Sequence, residues 1–108
     1  MKRGDIFIGA QRAEFTGKPR AYVVVQRETT LPDSVTVTAC PVTTVLLGAG
    51  ALRIPLAADA ATGLDDPSEF EVDRITTLRR SAMRQRIGSV PADGMAAVDR
   101  GLKLWLDL

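Results

Sequence analysis

Ala21-Tyr22-Val23-Val24-Val25 is apolar without a break. A strand reads this way when protein covers both of its faces. The segment therefore commits the chain to a sheet whose middle strand, expected over residues 21–26, lies between two layers. Around it the sequence reads as short strands and turns. Ile6-Phe7-Ile8 is a first strand, and Ser34-Val35-Thr36-Val37-Thr38-Ala39-Cys40 alternates strictly, as a half-buried antiparallel strand does. Pro41 has no N–H to give a ladder, so that strand is expected to end there or to lie at an edge or bulge. Thr43 and Thr44 then fall at a strand end. Leu52-Arg53-Ile54-Pro55-Leu56 alternates again, and Asp65-Asp66-Pro67-Ser68 is turn chemistry. Phe70, Val72 and residues 75–78 suggest one bent or two short strands, with another short one at 87–90.

Near the C-terminus the period changes. Met95, Val98, Leu102 and Trp105 or Leu106 recur at threes and fours, which predicts a helix of about fourteen residues. Asp93 near its start and Arg100 and Lys103 near its end complement the helix dipole, and Asp99 can pair with Lys103. Gly94 and Gly101 each cost roughly 1 kcal/mol relative to alanine, so packing has to hold this helix. Its last residues, 104–108, are apolar on more than one face, and a second subunit is the economical cover. A chain of 108 residues fits one domain, 1–108, and at that size buries roughly two-thirds of its unfolded surface. The fold class expected is mainly β (α+β), a sheet with a C-terminal helix.

The chain contains no histidine, which removes the commonest acid/base group at neutral pH and the commonest transition-metal ligand. Chemistry would fall to arginine, carboxylates and hydroxyls, a set that suits an anionic phosphate substrate and needs no metal or other cofactor. Net charge is only +1, so the total predicts no polyanion partner. The distribution is uneven: residues 65–73 carry five carboxylates and residues 74–86 five arginines. This is either a pair of opposed surfaces or, more simply, a solvated region of internal ion pairs. The single cysteine, Cys40, excludes an internal disulfide and reads as a small core or interface side chain. No apolar run approaches the ~18 residues of a membrane span and the first residues lack a leader-like apolar stretch, so a cytoplasmic location is expected.

Chemistry points to one pair. Gly17-Lys18-Pro19-Arg20 runs straight into the apolar strand, at the end of a long loop from Gly9 to Pro19. Arg20 is thus held at a strand terminus, and its planar guanidinium matches phosphate oxygens. Beside a phosphodiester it would stabilise the charge that builds on the non-bridging oxygens. The Thr43 hydroxyl can donate to the same oxygens; the plainer reading of these residue types alone is a surface charge at Arg20 and a strand-end cap at Thr43. RNA brings its own nucleophile, the 2′-hydroxyl, so such a nuclease needs neither metal nor activated water. Gly48-Ala49-Gly50 lacks the lysine of a phosphate loop, and the acidic residues 65–71 lack calcium-loop spacing. Tyr22 is expected in the core. Phe15 either stacks on a base or packs inward, the sequence favouring neither.

These segments resemble the MazF/PemK toxins: Lys2-Arg3-Gly4-Asp5-Ile6-Phe7, Lys18-Pro19-Arg20 before Val23-Val24-Val25-Gln26, and Pro41-Val42-Thr43-Thr44. Val72-Asp73-Arg74-Ile75-Thr76-Thr77, Arg86-Ile87-Gly88 and the terminal helix with Met95, Val98 and Asp99 follow in order. The resemblance implies a twisted antiparallel SH3-like barrel of the CcdB/PemK type with a C-terminal helix. It implies a metal-independent, sequence-specific endoribonuclease acting on single-stranded RNA and leaving a 2′,3′-cyclic phosphate and a 5′-hydroxyl. A homodimer and a cognate MazE-like antitoxin are implied as well. The family's catalytic arginine and threonine fall on Arg20 and Thr43, with Lys18, Phe15, Gln26, Thr44 and Arg74 read as substrate-binding. Glu14 is the nearest counterpart of a first-loop glutamate that assists catalysis in some members. Ala21 stands where the family usually has proline, and Arg74-Ile75-Thr76-Thr77 where many members have Gln-Ile-Arg-Thr, so sequence preference does not carry over. The alternative is a non-catalytic relative on the same fold, a CcdB-like gyrase poison, which Trp105 near the C-terminus keeps open.

Overall fold

A computed structural model describes residues 1–10, 19–48 and 50–108. The strands are β1 (Asp5–Gly9), β2 (Arg20–Val24), β3 (Thr36–Thr43), β4 (Arg53–Leu56), β5 (Ser68–Glu71), β6 (Thr76–Arg79) and β7 (Met83–Ser89), and helix α1 spans Ala92–Leu106. Their order in the sheet is β4-β5-β3-β2-β1-β7, with β6 also on β3, and the pairings are antiparallel. The molecule is mainly β with a C-terminal helix, as expected.

The unbroken apolar run sits in the middle. Val23, Val25, Cys40 and Val42 feed one cluster with Ile6, Phe70, Val72 and Val98. Tyr22, Val24, Val37 and Ala39 feed a second with Leu31, Leu78 and Met83. The clusters take alternate residues of β2 and β3, so the central pair is covered on both faces. Tyr22 and Cys40 are fully buried, as the sequence suggested.

β3 does not end at Pro41. It continues to Thr43, with Pro41 opposite Tyr22. The Thr38 carbonyl accepts the Val25 N–H at 3.1 Å, and the Thr38 N–H donates to the Gln26 side chain at 2.9 Å, so Thr38 turns its backbone groups toward β2. Alternation then turns the Pro41 nitrogen to the opposite edge. There β3 pairs with β6 over Thr36–Ala39 and with β5 only from Val42. The proline occupies the fork where the partner strand changes, and its missing donor interrupts no ladder.

The region after Phe70 forms two short strands, β5 and β6, joined through a single helical turn at Val72–Arg74. β7 is longer than the 87–90 segment expected, because exposed Arg84, Gln85 and Arg86 hide its first half behind polar side chains. Helix α1 is fifteen residues long and buries Val98 and Gly101. A Cβ on Gly101 would come 2.5 Å from the Ala51 carbonyl oxygen, so this glycine sets how closely the helix approaches the turn that leads into β4. Asp99 pairs with Arg3 at 2.8 Å, in place of the intrahelical pair with Lys103. Leu104, Trp105, Leu106 and Leu108 are exposed. Among the described residues no helix is long and apolar enough to cross a membrane.

Candidate active-site groove

The register Tyr22↔Pro41, carried two residues further, sets Arg20 level with Thr43. Twenty-three positions apart in sequence, they meet at one end of the central strand pair. Both line a groove of about 920 Å³, together with Pro19, Thr44, Asp65, Asp66, Arg74 and Thr76. Arg20 begins β2 and Thr43 ends β3, so each stands at the rim of a rigid ladder. The Thr43 hydroxyl oxygen accepts the Val45 N–H at 3.1 Å, which fixes the rotamer at the strand end.

Under the groove lies a buried carboxylate. Glu71 is 3% exposed. Its Oε1 accepts from Arg20 Nη2 at 2.7 Å, while Oε2 faces Arg74 Nε at 3.1 Å and Arg53 Nη1 at 3.5 Å. Arg53 also grips Asp73 with two bonds, Nε to Oδ1 at 3.0 Å and Nη2 to Oδ2 at 3.2 Å. That hydrogen bonding is the leading reason the Asp73 carboxyl is held below the usual carboxylate range, and it raises Arg53 further still. Three guanidinia meet two carboxylates in this cluster, and Asp65 and Asp66 add two more to the groove lining, so among the described residues the groove holds no excess of positive charge. A second buried carboxylate, Glu69, accepts the N–H groups of Leu47 and Gly48, both at 2.9 Å, and stitches the segment after Thr43 onto β5.

Of the residues singled out from sequence, Arg20, Thr43, Thr44 and Arg74 are brought together. Gln26 is not. It lies beyond the far end of β2, where its amide donates to Thr30 at 2.9 Å and accepts from the Thr38 N–H at 2.9 Å, a brace for the β2–β3 connection. Phe15, Lys18 and Glu14 lie outside the described residues. Sequence reasoning passed over Glu71, Arg53 and Glu69. The available signal was the alternation Ser68-Glu69-Phe70-Glu71, which sets both carboxylates on one face of a strand. The basic run 74–86 is dispersed: Arg74 turns to Glu71, Arg86 to Asp5 at 3.1 Å, and Arg80 to the carbonyls of Leu31 and Ser34. The simpler reading of that charge, internal pairing, describes these three. Burial pushes the Cys40 thiol up to about 12, which makes it a poor nucleophile.

Across residues 2–106 the chain matches the PemK-like, MazF-like toxins of type II toxin–antitoxin systems. It belongs to that family. It is 36% identical over 108 residues to a probable endoribonuclease MazF of Mycolicibacterium smegmatis, covering all of this chain and 98% of the relative. Among solved structures it is similar to the Mycobacterium tuberculosis toxin MazF-mt6, with a TM-score of 0.82 and 28% identity over 96% of this chain and 97% of that one. A MazE–MazF crystal structure from Deinococcus radiodurans shares the fold with a TM-score of 0.83 at 21% identity, covering all of this chain and 97% of the other. The family and its fold are those the sequence motifs implied.

Proposed function

We propose that this chain is the toxin of a toxin–antitoxin pair, a metal-independent and sequence-specific endoribonuclease that cleaves single-stranded RNA. The observation that carries the reading is the meeting of Arg20 and Thr43 at the rim of one groove, with Arg74 in the same lining. The identity to a probable endoribonuclease supports it, and so does a chain without histidine acting on a substrate that carries its own nucleophile.

In this mechanism the ribose 2′-hydroxyl loses its proton to solvent as its oxygen attacks the adjacent phosphorus, and the bond to the 5′-oxygen breaks, that oxygen taking up a proton. Products are a 2′,3′-cyclic phosphate and a 5′-hydroxyl. Arg20 stabilises the charge developing on the non-bridging oxygens and donates to the leaving oxygen. Thr43 orients the phosphate. Arg74 and Lys18 attract the backbone, Thr44 and Phe15 contact the RNA, and Glu14 assists from the loop before Arg20. The working unit is one domain, residues 1–108, acting in the cytoplasm as a homodimer, with the exposed Leu104, Trp105 and Leu106 available for association. A cognate antitoxin is its partner.

The test uses an RNA oligonucleotide containing a mapped cut site and the same oligonucleotide with one 2′-deoxy sugar 5′ to the scissile phosphate. The first should yield cyclic-phosphate and 5′-hydroxyl ends, and the second should remain intact. Cleavage of the deoxy substrate, or products with 5′-phosphates, would rule out attack by the 2′-hydroxyl.

A further inference from the structure

We propose that Glu71 is a positioning residue that sets the guanidinium of Arg20 for reaction. The proposal rests on the nuclease reading above. Glu71 is buried and is not among the groove-lining residues, so it acts on substrate only through others. Its two oxygens divide the work. Oε1 takes Arg20 at 2.7 Å, and Oε2 takes Arg74 and Arg53. Arg53 is itself immobilised by its two hydrogen bonds to Asp73, so the carboxylate is anchored from the buried side and presents a fixed acceptor to the groove side.

Position matters because a long arginine side chain has much rotamer freedom to lose when it is fixed. An arginine already seated on Glu71 loses less when a phosphate arrives, and stays aligned as charge builds. Without the carboxylate, three guanidinia would crowd one pocket and repel one another. Arg20, 30% exposed on the groove side, has the room to swing away. A glutamine in place of Glu71 keeps the shape but turns an NH₂ toward a cation. An aspartate keeps the charge but stops one methylene short.

The experiment compares Glu71→Gln and Glu71→Asp with the wild type in steady-state cleavage of an RNA containing a mapped cut site. Melting temperature and the NMR signal of the Arg20 Nε–Hε group, assigned through Arg20→Lys, are measured on the same samples. Glu71→Gln should lower kcat about 10- to 100-fold with KM changed less than threefold, and Glu71→Asp should recover part of the loss. Adding Glu71→Gln to Arg20→Ala should lower the residual rate no further. The Arg20 signal should be sharp in the wild type and broadened or shifted in the glutamine variant. A folded Glu71→Gln with wild-type kcat and an unchanged Arg20 signal overturns the proposal. If Glu71→Gln does not fold, the aspartate variant carries the same test, a wild-type kcat again overturning it. Should the wild type cut no RNA, the nuclease reading fails, while the Arg20 signal still decides whether Glu71 fixes that side chain.

Discussion

Arg20 and Arg53 grip the same buried carboxylate from two sides, and their surroundings differ. Arg53 is 11% exposed, closes a double hydrogen bond on Asp73 and is no part of the groove lining. Arg20 is 30% exposed and stands on the groove wall beside Thr43. One residue type therefore serves two purposes in one cluster. The enclosed pair neutralises charge that the fold has buried, and the open side turns the Arg20 guanidinium to the groove, where a phosphate would bind. Residue identity separates neither role; enclosure does.

Substitutions can break this contrast. Arg20→Ala should reduce RNA cleavage by on the order of 10²–10³-fold, the loss expected for one donor to a transition-state oxyanion, with a melting temperature within a few degrees of wild type. Arg53→Ala should do the reverse. It leaves Glu71 and Asp73 short of a partner, so thermal unfolding should show a loss of roughly 3 kcal/mol, as for breaking a buried pair. The melting temperature should then fall by roughly 10–20 °C, and cleavage per folded molecule should stay far above that of Arg20→Ala. An Arg53→Ala protein as stable as wild type would erase the distinction.

Smaller effects sharpen it. Thr43→Val removes the hydroxyl and should slow cleavage about tenfold, one hydrogen bond's worth, while Thr43→Ser should stay near wild type in the same kinetic assay. Acid tests the enclosed side through Asp73. The Asp73 carboxyl is lower in the folded protein than in the unfolded chain, chiefly because Arg53 hydrogen-bonds it. The stability it contributes is therefore present above about pH 4 and is lost as pH falls through the folded value. Urea unfolding between pH 5 and 2 should show this decline, and Asp73→Asn should flatten it.

Much of this was legible in the sequence because local pattern and global role agree. Residues 21–25 read as a doubly covered strand and are one, and the period of the terminal segment gave the helix to within a residue or two. Arg20 and Thr43 were found as types at strand ends, and the β2–β3 register brings them level. Glu71 was not legible. A carboxylate in an acidic run looks solvated until its partners are known, and its closest, Arg20, is 51 residues away. Pro41 misled for a related reason: a proline argues against a strand interior, and only the topology reveals a fork where its missing donor is harmless. β7 was under-read because three of its residues face solvent.

The measurement that bears most directly on the groove is incubation of the purified protein, and of Arg20→Ala, with a long single-stranded RNA in excess EDTA. New 5′ ends are then tested for direct phosphorylation by a kinase. The account predicts discrete cuts with kinase-ready 5′-hydroxyls from the wild type and on the order of 10²–10³-fold fewer from a folded Arg20→Ala. Equal cutting by the two proteins, or intact RNA alongside inhibition of DNA gyrase, would contradict it.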